Sequence, residues 1–148
     1  MAQPTIRRLT PHDVGDVVGA PALFDHRPTH DWARATLESP GHHLLVAYQE
    51  STPVGFVTGI ETTHPDKGTE MLVYELSVDD HFRRQGVGRA LVSALRELAT
   101  ERGCYGMWVA VEPGNTAAVA TYRSAGAGSP ESAVIQTWDL DDHDTLPP

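Results

Sequence analysis

The sequence predicts an α/β domain whose sheet is mixed and mostly antiparallel, with six or seven strands and about four helices. Three observations carry that expectation. Short β-branched and aromatic runs alternate with helical patterns in the order β-α-α-β-β-β-α-β-α-β. One long segment has a nearly unbroken helical stripe, with Val87, Ala90, Leu91, Ala94, Leu95, Leu98 and Ala99 apolar. The middle strands follow each other too closely for crossovers, whereas the last two are reached through helices, which makes the first of those connections parallel and right-handed.

Residues 5–9 (TIRRL) open as a short strand that Thr10-Pro11 ends. Thr10 or Asp13 can cap a first helix through Val14, Val17 and Val18 toward Phe24, although Gly15 and Gly19 weaken it. Pro28-Thr29 starts a second helix over 30–38, which Ser39-Pro40-Gly41 terminates. Residues 43–48 (HLLVAY) and 53–60 (PVGFVTGI) read as a hairpin. Within it, Gly55 and Gly59 signal bulges or a close backbone approach. A polar loop, 62–68, leads to a strand over 70–78. There simple alternation puts Leu72, Tyr74, Leu76 and Val78 on one face, and Val73, Glu75 and Ser77 on the other. The long helix stops at Gly103, a strand covers 106–111, and Glu112-Pro113-Gly114 turns out of it. Asn115 is a good N-cap for a helix over 116–124, with Ala118 and Tyr122 stacked at i and i+4 and Gly126 closing it. The last strand is expected at 132–140 (SAVIQTWDL), followed by an acidic tail at 141–148.

With 148 residues and no linker or repeat, the chain is expected to be one domain, 1–148, with its core over about 5–140. The formal net charge of −9 argues against general nucleic-acid binding and favours a cationic partner. No apolar run is long enough to span a membrane and the N-terminus lacks a signal-peptide core, so the default expectation is a cytoplasmic protein with no membrane partner. A single cysteine, Cys104, excludes an intramolecular disulfide and a thiolate metal site. The eight histidines show no metal-ligand spacing, so no metal is expected. His64, in the loop before the central strand, is more simply a surface residue than a substrate contact.

The most specific stretch is 73–98 (VYELSVDDHFRRQGVGRALVSALREL), a strand, a turn rich in Arg and Gly, and the long helix. Arg83, Arg84 and Arg89 cluster there on an otherwise acidic protein. A helix start with free N–H groups, glycines and arginines can hold phosphate oxygens. The turn is neither a P-loop nor a dinucleotide fingerprint: no Gly-x-x-x-x-Gly-Lys occurs, and Leu91 stands where the third glycine is required. Taken alone, Arg83-x-x-Gly86-x-Gly88 is equally a plain turn before a core helix.

In context, VYELSV, HFRRQGVGRAL and AAVATYRSAGA resemble the Gcn5-related N-acetyltransferase (GNAT) superfamily. They look most like its aminoglycoside 3-N-acetyltransferase type I branch. The resemblance spans about residues 5–140 and implies acetyl-CoA as cosubstrate. Carried over, the backbone N–H groups of Gln85, Gly86, Val87 and Gly88 would take the pyrophosphate, and Arg83, Arg84 and Arg89 would add charge. Leu76, Ser77 and Val78 would bond the pantetheine arm through their backbone, admitted by a splay between the central strand and 106–111. Asn115 and Ala118 would contact the cofactor. Tyr122 matches the general acid that protonates the leaving thiolate; a phenol of pKa about 10 can donate to a thiolate whose own pKa is about 8.5.

The acceptor amine must lose a proton before attack, and Glu75 is the candidate base, directly or through water. In the resembling branch an aspartate commonly stands there. Each candidate also has a plainer reading, Tyr122 as core packing and Glu75 as a solvent-facing or arginine-paired sheet residue. Glu112, Asp139 and Asp141 are further acidic candidates for binding a cationic substrate, and the last two read equally as tail charges. No Gly-x-Ser-x-Gly elbow exists, so direct transfer in a ternary complex is the simpler mechanism. The branch implies a polycationic acceptor, an aminoglycoside 3-amino group first; a polyamine, an amino acid or a protein N-terminus is the alternative. A non-catalytic acyl-CoA-binding regulatory domain is a third reading. The family often dimerises, sometimes through the C-terminal strand, with Trp138 as a contact.

Overall fold

A computed structural model describes residues 3–141. Five strands form one sheet in chain order: β1 (Thr5–Arg8), β2 (His42–Gln49), β3 (Thr52–His64), β4 (Gly68–Val78) and β5 (Gly106–Trp108). The first four pair antiparallel, and β5 joins β4 in parallel. The helices are α1 (Val14–Val18), α2 (His30–Glu38), α3 (Val87–Glu101) and α4 (Thr116–Ser124).

Side-chain oxygens fix several of the helix starts. Thr10 and Asp13 form a capping box around a 3-10 turn, Pro11–Asp13, that feeds α1. Thr29 accepts from the Trp32 N–H at the start of α2, and Asn115 accepts from the Ala118 N–H at the start of α4. The single helix expected toward Phe24 is instead broken. α1 stops at Val18, and Pro21 opens a separate 3-10 turn, Pro21–Leu23, because proline cannot supply the N–H that would continue the helix.

Two cores cover the two faces of the sheet. On one face α3 drives Val87, Leu91 and Leu95, all essentially inaccessible, against Leu45, Val57, Met71 and Val73. The expected close approach at the β3 glycines is real. A Cβ on Gly59 would lie 2.6 Å from Leu95 Cδ1, and one on Gly55 would lie 3.2 Å from Leu91 Cδ1 and Val87 Cγ1. On the other face Val17, Leu23 and Ala33 pack on Leu44, Val46 and Phe56, with the Phe24 ring stacked on Phe56 at 4.4 Å.

The strand expected at 132–140 is not formed: residues 128–140 have no regular structure and are exposed throughout. The sheet of the described residues therefore has five strands, not six or seven. The physical reason is pairing. A strand holds its shape through a neighbour's backbone hydrogen bonds, and this segment has no strand partner among the described residues. β5 is also shorter than the expected 106–111. Apart from Asp141, the tail expected at 141–148 lies outside the described residues.

Candidate active site

The site is built around β4, which is paired differently on its two sides. Its contact with β3 extends to Gly55↔Val78, but its contact with β5 covers only Glu70↔Gly106, Met71↔Met107 and Leu72↔Trp108. From Val73 to Val78 the β5 side of the strand pairs with no other strand among the described residues, leaving an open edge. This is the splay expected between the two strands.

A second irregularity sets the direction of the side chains. The β3–β4 register slips by one residue, pairing Thr58 with Glu75 but Gly59 with Val73, so Tyr74 is an extra residue. Simple alternation is thereby broken. Val73 joins Leu91 and Leu95 in the α3 core, as do Leu76 and Val78 after the bulge. Glu75 turns to the opposite face, beside Phe24, Trp32 and Thr58. The expectation that Val73 and Glu75 share a face is corrected by this bulge.

Each face then carries a cavity. On the α1–α2 side one of about 200 Å³ is lined by Phe24, His26, Trp32, Thr58 and Glu75. Glu75 reaches solvent through its mouth. Burial by the surrounding walls nevertheless pushes its carboxyl above the usual carboxylate range, and the negative charge of Asp25 adds to this. Across the pair from Glu75, the Thr58 hydroxyl is buried with no hydrogen-bond partner among the described residues. On the α3–α4 side a cavity of about 210 Å³ is lined by Val73, Met107, Val109, Tyr122 and Ala125. Tyr122 is half-buried, and desolvation pushes its phenol above its ordinary value, which keeps it protonated and able to donate.

The turn before α3 presents the third part. Gly86 has φ +82° and provides no side-chain cap, and the first intrahelical bond runs from the Ala90 N–H to Gly86 O. The N–H groups of Val87, Gly88 and Arg89 thus point out of the helix start, where the dipole favours an anion. Arg84 also has positive φ, +60°. Arg83, Arg84 and Arg89 are exposed around this turn. The Arg83 guanidinium pairs with Asp80 at 3.0 Å and donates to Val78 O. Gln85 donates to His81 O. Gly88 has a packing reason of its own, since a Cβ there would lie 3.1 Å from Thr121 Cγ2.

The structure brings Tyr122, the β4 edge and the α3 turn together through direct packing of α3, α4 and β4. Asn115 uses its side-chain oxygen to cap α4. Ala118 is half-buried on the same helix. Glu112, Asp139 and Asp141 are exposed and line neither cavity, so the structure does not gather them with Glu75. Phe24, Asp25, His26, Trp32 and Thr58 escaped the sequence reading. A large aromatic at Trp32, exposed on a mainly polar helix, was the available signal for that wall. His64 pairs with Glu70, which also accepts from the Tyr105 hydroxyl. No group of His, Cys, Asp and Glu among the described residues is placed to hold a metal ion, and no described helix is long and apolar enough to cross a membrane.

Residues 13–127 match the family model described as acetyltransferase (GNAT) family. Among curated proteins, the chain is 39% identical over 57 residues to the [ribosomal protein bS18]-alanine N-acetyltransferase of Escherichia coli K12, covering 38% of each. It is 34% identical over 128 residues to the mycothiol acetyltransferase of Salinispora arenicola, covering 80% of this chain and 40% of that protein. The matches thus span about two-fifths of the length of these relatives. Among solved structures, an aminoglycoside acetyltransferase from an uncultured soil metagenomic sample, in complex with trehalose, superposes with TM-score 0.85 at 24% identity, over 93% of this chain and 97% of that one. AAC(6′)-Iy in complex with a bisubstrate analog superposes with TM-score 0.79 at 18% identity, over 94% and 100%. These two likenesses are of fold. With the family match covering most of the chain, from α1 to the end of α4, the protein belongs to the acetyltransferase (GNAT) family, whose cosubstrate is acetyl-CoA.

Proposed function

We propose that this chain transfers an acetyl group from acetyl-CoA to a primary amine of a small polycationic acceptor, by direct transfer in a ternary complex. The single observation that carries the reading is the bulge at Tyr74. It lets one strand present Glu75 to a cavity on one face while Val73 lines the cavity of Tyr122 on the other, beside an open edge.

The residues present fit acetyl-CoA. The N–H groups of Gln85, Gly86, Val87 and Gly88 would take the pyrophosphate oxygens, the exposed Arg83, Arg84 and Arg89 would add positive charge, and Asn115 and Ala118 at the start of α4 would contact the cofactor. On the side of β4 away from β3, the backbone of Leu76, Ser77 and Val78 would offer an added strand's hydrogen bonds to the pantetheine arm. The bound cosubstrate supplies an activated thioester. Glu75 takes the proton of the incoming ammonium, directly or through a water held by Glu75 and the orphaned Thr58 hydroxyl. Its raised pKa brings it nearer to the working pH of a general base. Tyr122 supplies a proton to the departing thiolate, and its desolvated site keeps that proton in place until needed.

An aminoglycoside 3-amino group is the leading acceptor. It is supported by the resemblance of the 73–126 segments, by the net charge of −9, and by a solved neighbour of similar fold crystallised with sisomicin. A second reading, an amino acid or a protein N-terminus, is favoured by one specific observation. The Glu75 cavity carries a single lining carboxylate among Val17, Phe24, Trp32 and Leu44, and Glu112, Asp139 and Asp141 stay outside it. That wall suits one ammonium beside an apolar group. A thiol-release assay with acetyl-CoA against 2-deoxystreptamine aminoglycosides, diamino acids and alanine-initiated peptides separates them. Turnover of an aminoglycoside with acetyl at the 3-amino group supports the leading acceptor; turnover confined to peptides or amino acids replaces it. Coenzyme A binding with no transfer to any amine would leave only a binding domain.

A further inference from the structure

We infer that the cavity beside Tyr122 is an acyl pocket, and that this chain also takes donors whose short acyl group ends in a carboxylate, succinyl-CoA being the type. This rests on the reading of the open β4 edge as the place of the pantetheine arm, and extends it past the thioester.

Direction comes first. The turn proposed for the phosphates opens α3, and Val78 sits beside it, with its Cγ2 3.7 Å from the Cβ position of Gly88. From there the open edge runs back along β4 to Val73. α3 runs the same way toward Val92 and Ala99, and these two line the cavity together with Val73. A donor with its phosphates at Gly88 and its arm along Val78, Ser77 and Leu76 thus carries its acyl end to the mouth of the cavity.

Size and charge then name the group. The cavity holds about 210 Å³, far more than the methyl of an acetyl group needs, since a water of similar bulk occupies about 30 Å³ of the liquid. The walls from Val92, Ala99, Met107, Val109 and Ala125 are apolar and suit methylene carbons. Among the described residues no carboxylate lines it, although the protein carries a net charge of −9, and Arg96 is the one charged side chain in its lining. Arg96 is exposed and forms no ion pair among the described residues. Its guanidinium lies against Gly126, where an added Cβ would be 2.6 Å from Arg96 Nη1. Gly126 follows Tyr122 by four residues, about 6 Å along the line of α4. Three C–C bonds of about 1.5 Å and a charge-assisted hydrogen bond of about 2.8 Å span that distance. The planar guanidinium fork also matches a carboxylate's two oxygens. The chemistry is that of acetyl transfer. A C–N bond forms as the C–S bond breaks, Glu75 takes the ammonium proton, Tyr122 protonates the departing thiolate, and nothing is oxidised or reduced.

Calorimetry of the full chain with coenzyme A, acetyl-CoA, butyryl-CoA and succinyl-CoA separates room from charge, because the last two acyl groups have the same number of carbons. We expect succinyl-CoA to bind about fivefold more tightly than butyryl-CoA, the upper worth of a partly exposed ion pair. Arg96→Gln should erase that preference and leave acetyl-CoA binding unchanged, and the exposed side chain can be replaced without disturbing the core. Cys104, the single cysteine, also lines the cavity and gives a second readout. Saturating succinyl-CoA should slow its alkylation by iodoacetamide several-fold beyond any effect of saturating acetyl-CoA. A preference that survives Arg96→Gln overturns the inference, as does equal protection of Cys104 by both donors. Succinyl-CoA bound no more tightly than butyryl-CoA, with acetyl-CoA still bound, overturns it too and leaves the acetyl-CoA reading standing. If neither coenzyme A nor acetyl-CoA binds, both fall together.

Discussion

The imidazole of His43, only 2% exposed, is clamped between two groups: its Nε2 lies 2.7 Å from Glu61 Oε2, and its Nδ1 lies 2.8 Å from Arg8 Nη2. A guanidinium can only donate, so Nδ1 is the acceptor and Nε2 carries the hydrogen given to Glu61. Arg102 Nε donates to the same carboxylate oxygen at 2.7 Å. The neutral ring thus ties β1, β2, β3 and the end of α3 into one chain of bonds. Protonating Nδ1 would set a cation against Arg8 and abolish the bond between them.

Stability is therefore expected to fall on acidification. Burial holds His43 below its ordinary value, more than offsetting the Glu61 bond that raises it. Burial raises Glu61, but the bonds from His43 and Arg102 more than offset it, so this carboxyl lies below the usual range. Both folded-state shifts are downward, so both contributions are present above the unfolded pKa and lost as pH falls through the folded one. The His43 contribution starts to fade below about pH 6.5 and the Glu61 contribution below about pH 4.5. Thermal melts from neutral pH downward measure this. In His43→Gln the fall that sets in below about pH 6.5 should flatten, at a cost at neutral pH of about 1–3 kcal/mol for the broken buried network. An unchanged slope would refute the assignment.

Glu75→Gln should lower turnover about 10²–10⁴-fold, the usual worth of a positioned base. A positional role would also lower the rate, so the pH profile decides. The ionised carboxylate is the active form, and its pKa is raised. The native acidic limb should therefore bend at Glu75 as well as at the amine, whereas the variant should follow the amine alone. Glu75→Asp should keep the bend at a reduced rate.

Tyr122→Phe should cost turnover a similar about 10²–10⁴-fold while leaving the KM for acetyl-CoA nearly unchanged. The group it acts on is the leaving sulfur. An acetyl thioester of a more acidic aryl thiol departs without needing a proton, so the gap between native and variant should shrink with that donor. If the loss is the same with both donors, Tyr122 serves packing alone.

Much of the fold was legible because local chemistry decides it. The helix expected over 30–38 is α2, started by Thr29, and that over 116–124 is α4, started by Asn115. The stripe from Val87 to Ala99 faces the core as its spacing requires. Two features were hidden because distant partners decide them. Gly59 signalled a bulge and the register slips beside it, but which β4 residue is the extra one, and so which face Glu75 takes, is set by the pairing with β3 and not by the residues around Glu75. The segment at 132–140 has the composition of a strand, but composition does not name a neighbour. The acidic residues near the ends of the sheet group by charge in the sequence, but charge does not place them, and Glu112, Asp139 and Asp141 line neither cavity.

The two glycines of the α3 turn should fail for different reasons when replaced. At Gly86 a Cβ meets nothing within 4 Å, but φ of +82° belongs to the left-handed region. Gly86→Ala should cost about 1–2 kcal/mol from backbone strain alone. At Gly88 the helix conformation suits any residue, and the obstacle is Thr121 Cγ2, 3.1 Å from the added Cβ. Thr121 donates its hydroxyl to Ala117 O, which holds that methyl in place. Gly88→Ala should therefore cost about 1 kcal/mol or more by crowding α3 against α4. Thr121→Ser keeps the hydroxyl and removes the methyl, so it should rescue Gly88→Ala and leave Gly86→Ala unrescued. Urea melts of the native chain, Thr121→Ser, the two glycine variants and the two double variants give the coupling energies. Equal rescue of both glycine variants would show that Thr121 acts on the whole turn, and the packing reason for Gly88 would fall with it.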